Sequence, residues 1–146
     1  MGYHIHIIIG KDHPMRGVAF LVSEDKIMTA KKAFDNLDRT CERSLRTRFD
    51  AWQSGQQNKS TRYHGWNKSE YNGRYTNCFV FKCKSHRFYG FLYNPKEENK
   101  RYQICILVSH ANKKEWETDE ADLKYIEAIR TNLAVIRTVK EFFKEE

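Results

Sequence analysis

The sequence predicts an α+β domain: an antiparallel sheet of about four to five strands, a long helix in the amino-terminal half and a helix at the carboxy end. Three observations predict it. Between Cys78 and His110, the runs CFVFKCKSH, RFYGFLY and RYQICILVSH follow one another with short polar breaks, the mark of an antiparallel meander. Ile27, Phe34, Leu37, Cys41, Leu45, Phe49 and Trp52 recur at helical intervals, and so do Leu123, Ile126, Ile129, Leu133, Ile136, Val139 and Phe143. At 146 residues and 40% hydrophobic content, the chain suits one domain, residues 1–146, with a core that requires no staples.

Taken in order, Tyr3 to Ile9 and Arg16 to Val22 read as strands, with Gly10 to Pro14 as the turn between them. Ser23 offers an N-cap for the first helix, with Glu24 and Asp25 placed to favour its dipole. Gly55 ends that helix, and residues 55–75 form a long polar loop containing Gly65 and Gly73. In the first strand of the meander, alternation sets Phe79, Phe81 and Cys83 on one face and Val80, Lys82 and Lys84 on the other. Two lysines are thus expected side by side. Thr118 is the expected cap of the last helix, with Asp119, Glu120 and Asp122 in its opening turn.

The formal charge of +7 is unevenly placed. Residues 57–101 hold ten Lys/Arg against three Glu, enough to account for the whole excess, whereas the flanking segments nearly balance. Within that stretch Lys59, Arg62, Lys68, Arg74, Lys82, Lys84 and Arg87 alternate with Tyr63, Trp66, Tyr71, Tyr75, Phe79, Phe88 and Tyr89. Cations neutralise phosphates and aromatic faces stack on unpaired bases, so the mixture suits single-stranded or distorted nucleic acid. The plain alternative is a solubilising loop over a core of aromatics.

Cys41, Cys78, Cys83 and Cys105 lack paired metal spacings and read as buried thiols of a reducing cytoplasm. Cys78 and Cys83, five apart on one strand, are expected to face opposite sides. No run reaches a membrane-spanning length, and MGYHIHIIIGKDHP lacks the basic start and long apolar stretch of a signal peptide, so a cytoplasmic protein with no membrane partner is expected. His4 and His6 share a strand face, a chelating geometry, but no third ligand stands nearby and no metal or cofactor is expected. Phosphate-binding glycine loops, a GxSxG elbow and an HExxH motif are absent from the sequence.

FKCK at Phe81 to Lys84, RFYGFL at Arg87 to Leu92, ICILVSH at Ile104 to His110 and KKEWETDEADL at Lys113 to Leu123 occur in close order. In that order they resemble the RelE/ParE superfamily of toxins, and especially its phage-derived, HigB-like branch. The resemblance covers the second half of the chain. It implies a toxin of a toxin–antitoxin pair: a metal-independent endoribonuclease acting on ribosome-bound mRNA and restrained by a cognate antitoxin.

Such nucleases are understood to work with a cluster of Lys and Arg assisted by a Tyr or His. The resemblance therefore implies Lys82, Lys84, Arg87 and Lys114 as catalytic groups, with His110 as the acid/base histidine because it ends the last strand beside the basic turn. Lys113, Arg74, Tyr89, Trp66 and Lys68 are the expected RNA contacts. The tyrosine that some relatives use a few residues past the basic turn has no counterpart, and the amino-terminal half carries an extra strand. Two alternatives stay open: a ParE-like inhibitor that binds DNA gyrase without cutting, and a nontoxic nucleic-acid-binding domain.

Overall fold

The computed structural model describes residues 2–25, 27–55, 62–113 and 119–144. The expected α+β class is what forms. The order is β1 (Tyr3–Ile9), β2 (Arg16–Ser23), α1 (Ala30–Asp35), α2 (Arg39–Gln53), β3 (Tyr63–Gly65), a 3-10 turn at Tyr71–Gly73, β4 (Cys78–Cys83), β5 (His86–Tyr93), β6 (Gln103–Asn112), α3 (Glu120–Arg130) and α4 (Leu133–Phe143). One six-stranded sheet runs β1-β2-β6-β5-β4-β3. It exceeds the expected strand count because β3 forms inside the predicted loop, where Tyr63, His64 and Gly65 pair with Phe81, Val80 and Phe79.

The sheet is also not wholly antiparallel. β2 and β6 pair in parallel, Arg16 opposite Gln103 through Phe20 opposite Leu107. The meander β4-β5-β6 returns beside β2 after α1 and α2 have crossed one face, and α3 and α4 cover the other. With helices on both sides, the central strands are buried on both faces. That is why GVAFLV in β2 and ICILV in β6 are continuous apolar runs while the edge strand β1 alternates.

Under α1 and α2 lie Val18, Phe20, Phe79, Phe81, Cys83, Phe88, Cys105 and Leu107, packed on Phe34, Leu45, Phe49 and Trp52. Under α3 and α4 lie Ala19, Leu21, Val80, Tyr89, Phe91, Ile104, Ile106 and Val108, packed on Leu123, Ile126, Val135 and Val139. Cys78 and Cys83 do fall on opposite faces. At Gly90 the β5–β6 register shifts, and a Cβ there would stand 2.1 Å from the Ile106 carbonyl oxygen, so the position admits only glycine without backbone movement.

Both predicted long helices are broken in two. Ser23 is the last residue of β2, not a helix cap. The amino-terminal helix starts at Ala30, and Asn36 closes it by donating its amide to the Lys32 carbonyl at 2.8 Å. Asp38 then opens α2, its carboxylate accepting from the Cys41 amide at 2.8 Å. Ile27 lies outside either helix and is 63% exposed.

At the carboxy end, Asp119 caps α3 by accepting from the Ala121 amide at 2.9 Å, in place of Thr118, which lies outside the described residues. Asn132, in extended backbone, accepts from the amides of Ala134 and Val135 and starts α4 afresh. The restart rotates the apolar face: Val135 is buried, Ile136 half-buried and Leu133 73% exposed. No described helix is long and apolar enough to cross a membrane.

Candidate nucleic-acid interface

The residues expected to form one site divide between the two faces of the sheet. Lys82 and Arg87 stand directly opposite each other on β4 and β5. Both share a face with Val80 and Tyr89, on the side covered by α3, because residues two apart on a strand point the same way. His64 of β3 pairs with Val80 and joins them. Arg62, just before β3, accepts the Lys82 amide at its carbonyl (2.8 Å) and is exposed, continuing the basic row to the sheet edge.

Burial shapes these groups. Burial first, then the like charge of Arg87, pushes the Lys82 ammonium below its usual range. His64 is pushed down mainly by burial and also by Lys82 and Arg87, against a hydrogen bond to the Gly65 carbonyl and the charge of Glu70. With Nδ1 donating to the Gly65 oxygen at 2.9 Å, Nε2 is the nitrogen left for proton exchange. The ring packs 4.8 Å from that of Trp66. The sequence sets Arg62 among the cations that alternate with aromatics but gives no sign of His64, because the polar composition of residues 55–75 reads as loop.

Arg87 is only 4% exposed. Its Nη1 donates to the carbonyls of Lys84 (2.6 Å) and His86 (3.0 Å), so the guanidinium holds the β4–β5 turn while its charge remains beside Lys82. Lys113, at the end of β6, lies 3.0 Å from Asp122 and 4.0 Å from Asp119. The acids expected to favour the helix dipole therefore also tie the last strand to α3. The Asp122 oxygen concerned is buried, and the Lys113 ammonium is the charge that compensates it there.

Several expected members are elsewhere. Lys84 sits in the two-residue turn with φ of +53°, so it leaves the sheet face rather than standing beside Lys82. His110 lies opposite Phe88 and shares its face, under α1 and α2. There its ring stands 4.9 Å from that of Phe88, its Nε2 is 2.9 Å from His86 Nδ1, and its amide donates to Thr29 Oγ1. The sheet separates it from Lys82. Burial, then the neighbouring His86, pushes its pKa down.

Tyr89 is 2% and Trp66 6% exposed, so neither offers a free ring face to a base; burial pushes the Tyr89 hydroxyl up to about 12. Arg74 is exposed, 3.8 Å from Glu120, and Lys68 is exposed in the loop before the 3-10 turn. Lys114 lies outside the described residues. A cavity of about 880 Å³ lies at the far end of the sheet, between the β1–β2 turn, the β5–β6 loop and the end of α4, and is lined by none of these residues. Among the described residues, no cluster of three or more His, Cys, Asp or Glu has a metal-holding arrangement.

A row of cations beside a histidine has the chemical character of an anion site, with groups suited to phosphate and to proton transfer. No protein-family model, curated protein or solved structure matches the chain.

Proposed function

We propose that the chain is a toxin-like endoribonuclease that cleaves mRNA without metal, in the cytoplasm and on the ribosome, and is restrained by an antitoxin. The observation that carries this reading is the opposed pair Lys82 and Arg87 with His64 beside it. The second half of the chain supports it too: the meander β4-β5-β6 leads into an acid-capped helix, the order of parts that the resemblance to RelE/ParE toxins implies.

In this mechanism neutral His64 takes the proton of a ribose 2′-hydroxyl through Nε2 as the oxygen attacks phosphorus. Lys82 stabilises the charge on the phosphorane and donates a proton to the departing 5′-oxygen. Arg87 adds fixed positive potential from below, and Arg62, Arg74 and Lys68 hold the backbone on either side. His110 and Lys84 have no part in the step.

The second reading, a binder that inhibits without cutting, is favoured by one specific feature: the Arg87 guanidinium is committed to the turn carbonyls. Induced expression in a bacterial host with primer extension on cellular mRNA separates the two. New in-frame cuts with growth arrest are expected from the wild type. His64→Gln and Lys82→Ala should each lose about 10²-fold or more of cleavage with an unchanged fold, while Lys84→Gly should cut normally. Arrest without cuts would replace the nuclease with the binder, and equal cutting by Lys82→Ala would remove this site from the reaction.

A further inference from the structure

We propose that Cys41 and Cys83 form a redox modification site, a dithiol that a hydroperoxide closes to a disulfide and a thiol reductant reopens. Their sulfur atoms are 3.2 Å apart, brought together from the first turn of α2 and the last residue of β4 across 42 residues of sequence. Only about 1.2 Å separates that contact from a covalent sulfur–sulfur bond. The other two cysteines differ. Cys78 lies on the opposite face against the Leu123 carbonyl and Glu127, and Cys105 is wholly buried in the centre of the sheet. The pairing is therefore specific to one couple.

The site is placed to matter for the local structure. The seam it would close already carries a second link, the Arg48 guanidinium of α2 donating to the Lys82 carbonyl one residue before Cys83. Cys83 itself is the last residue of β4, opposite His86 and next to the β4–β5 turn, and is 4% exposed under α2. Cys41, 1% exposed against 4% for Cys83, is the less accessible of the two, and burial and its contact with Cys83 hold its thiol up at about 11.

The step balances as follows. The Cys83 thiolate attacks one peroxide oxygen, the O–O bond breaks, and the departing hydroxide takes up the thiol proton as water, leaving a sulfenic acid. The Cys41 sulfur then attacks the Cys83 sulfur, the S–S bond forms, and the S–O bond breaks. The second hydroxide leaves as water with the Cys41 proton. The peroxide is reduced and the two thiols are oxidised by two electrons in all.

The test treats the folded full chain with hydrogen peroxide, then unfolds it, alkylates it and maps the peptides. The expected result is a fall in alkylatable thiols from four to two, with the Cys41 and Cys83 peptides joined and all four thiols restored by dithiothreitol. In Cys41→Ser the same treatment should leave Cys83 as a sulfenic acid that dimedone captures. Four thiols still alkylatable after excess peroxide, oxygen retained on Cys83 beside a free Cys41, or a bridge to Cys78 or Cys105 would each overturn the proposal.

Discussion

The two faces of the sheet are covered by similar lengths of helix and built on opposite plans. Beneath α1 and α2 the layer is built around aromatic contacts: Phe34, Phe49, Phe81 and Phe88 meet at ring separations of 4.8 to 6.3 Å, and Trp52 and Tyr63 extend the layer to Phe79. Beneath α3 and α4 the layer is mostly aliphatic, and where α3 begins it gives way to Lys82, Arg87, His64 and the Lys113–Asp122 pair. One face is specified by packing. The other gives up part of its packing to hold charge, and the proposed site rests on that concession.

The comparison predicts where the molecule is most easily broken. Phe49 is fully buried, with its ring edge-on to Phe81 at 4.8 Å, so Phe49→Ala should destabilise by about 3–5 kcal/mol in chemical denaturation. Replacing Lys82 by Met, on the other face, should leave stability within about 1 kcal/mol, since it removes a desolvated cation opposed to Arg87 while keeping the aliphatic stem. If the Lys82 substitution cost as much as the Phe49 one, the two faces would not differ in the way described.

That asymmetry also governs what could be read in the sequence. The period-2 pattern of Phe79, Val80, Phe81 and Lys82 gave the faces of β4 correctly because alternation is a local property of the strand. It could not see past Cys83, where Lys84 enters the left-handed region and a turn begins. The sequence joins His110 to the basic cluster because it ends the last strand beside the Lys113–Lys114 turn. Which face it takes depends on its pairing with Phe88 beyond the register shift at Tyr89 and Gly90, a feature no single strand records. The helix breaks were hidden for a related reason. Apolar spacing continues through residues 36–38 and 131–132, and only the capping side chains of Asp38 and Asn132 interrupt it.

The cover of the α3 face therefore rests on a capping residue as well as on packing. Asn132→Ala removes the acceptor for the Ala134 and Val135 amides, and a loss of about 1 kcal/mol is expected by thermal or urea unfolding. Asn132→Asp keeps an acceptor at the helix start and should retain most of it. Were Asn132→Ala silent, α3 and α4 would be held apart by tertiary packing alone.

Each face also carries one histidine whose charged form is disfavoured. For His64 the causes are burial, then the cations Lys82 and Arg87; for His110 they are burial, then His86. Both fold with a pKa below the ordinary 6.5, so the unfolded chain takes up the proton first as pH falls. Their stabilising contribution is complete above about 6.5 and is lost as pH drops from there through the lower folded values. Histidine NMR titrations should place both below 6.5. Added salt should move His64 upward more than His110, because part of the His64 shift comes from two permanent charges. Equal salt responses would mean that burial alone sets both.

The smallest effect belongs to Leu133. A helix continuous from α3 would turn it inward beside Ile129 and Ile136, and a polar substitution would then empty a core position at a cost of about 2 kcal/mol or more. In the observed fold the restart at Asn132 turns it outward, 73% exposed, and gives its place to Val135. Leu133→Gln should accordingly change stability by less than about 0.5 kcal/mol, while Val135→Ala, one helical step further in, should cost several times more. The pair of substitutions reads the rotation of α4 directly: the apolar stripe written in the sequence and the stripe used by the fold share Val139 and Phe143 but part at the helix start, Leu133 in one and Val135 in the other, and only one of those two can be sensitive.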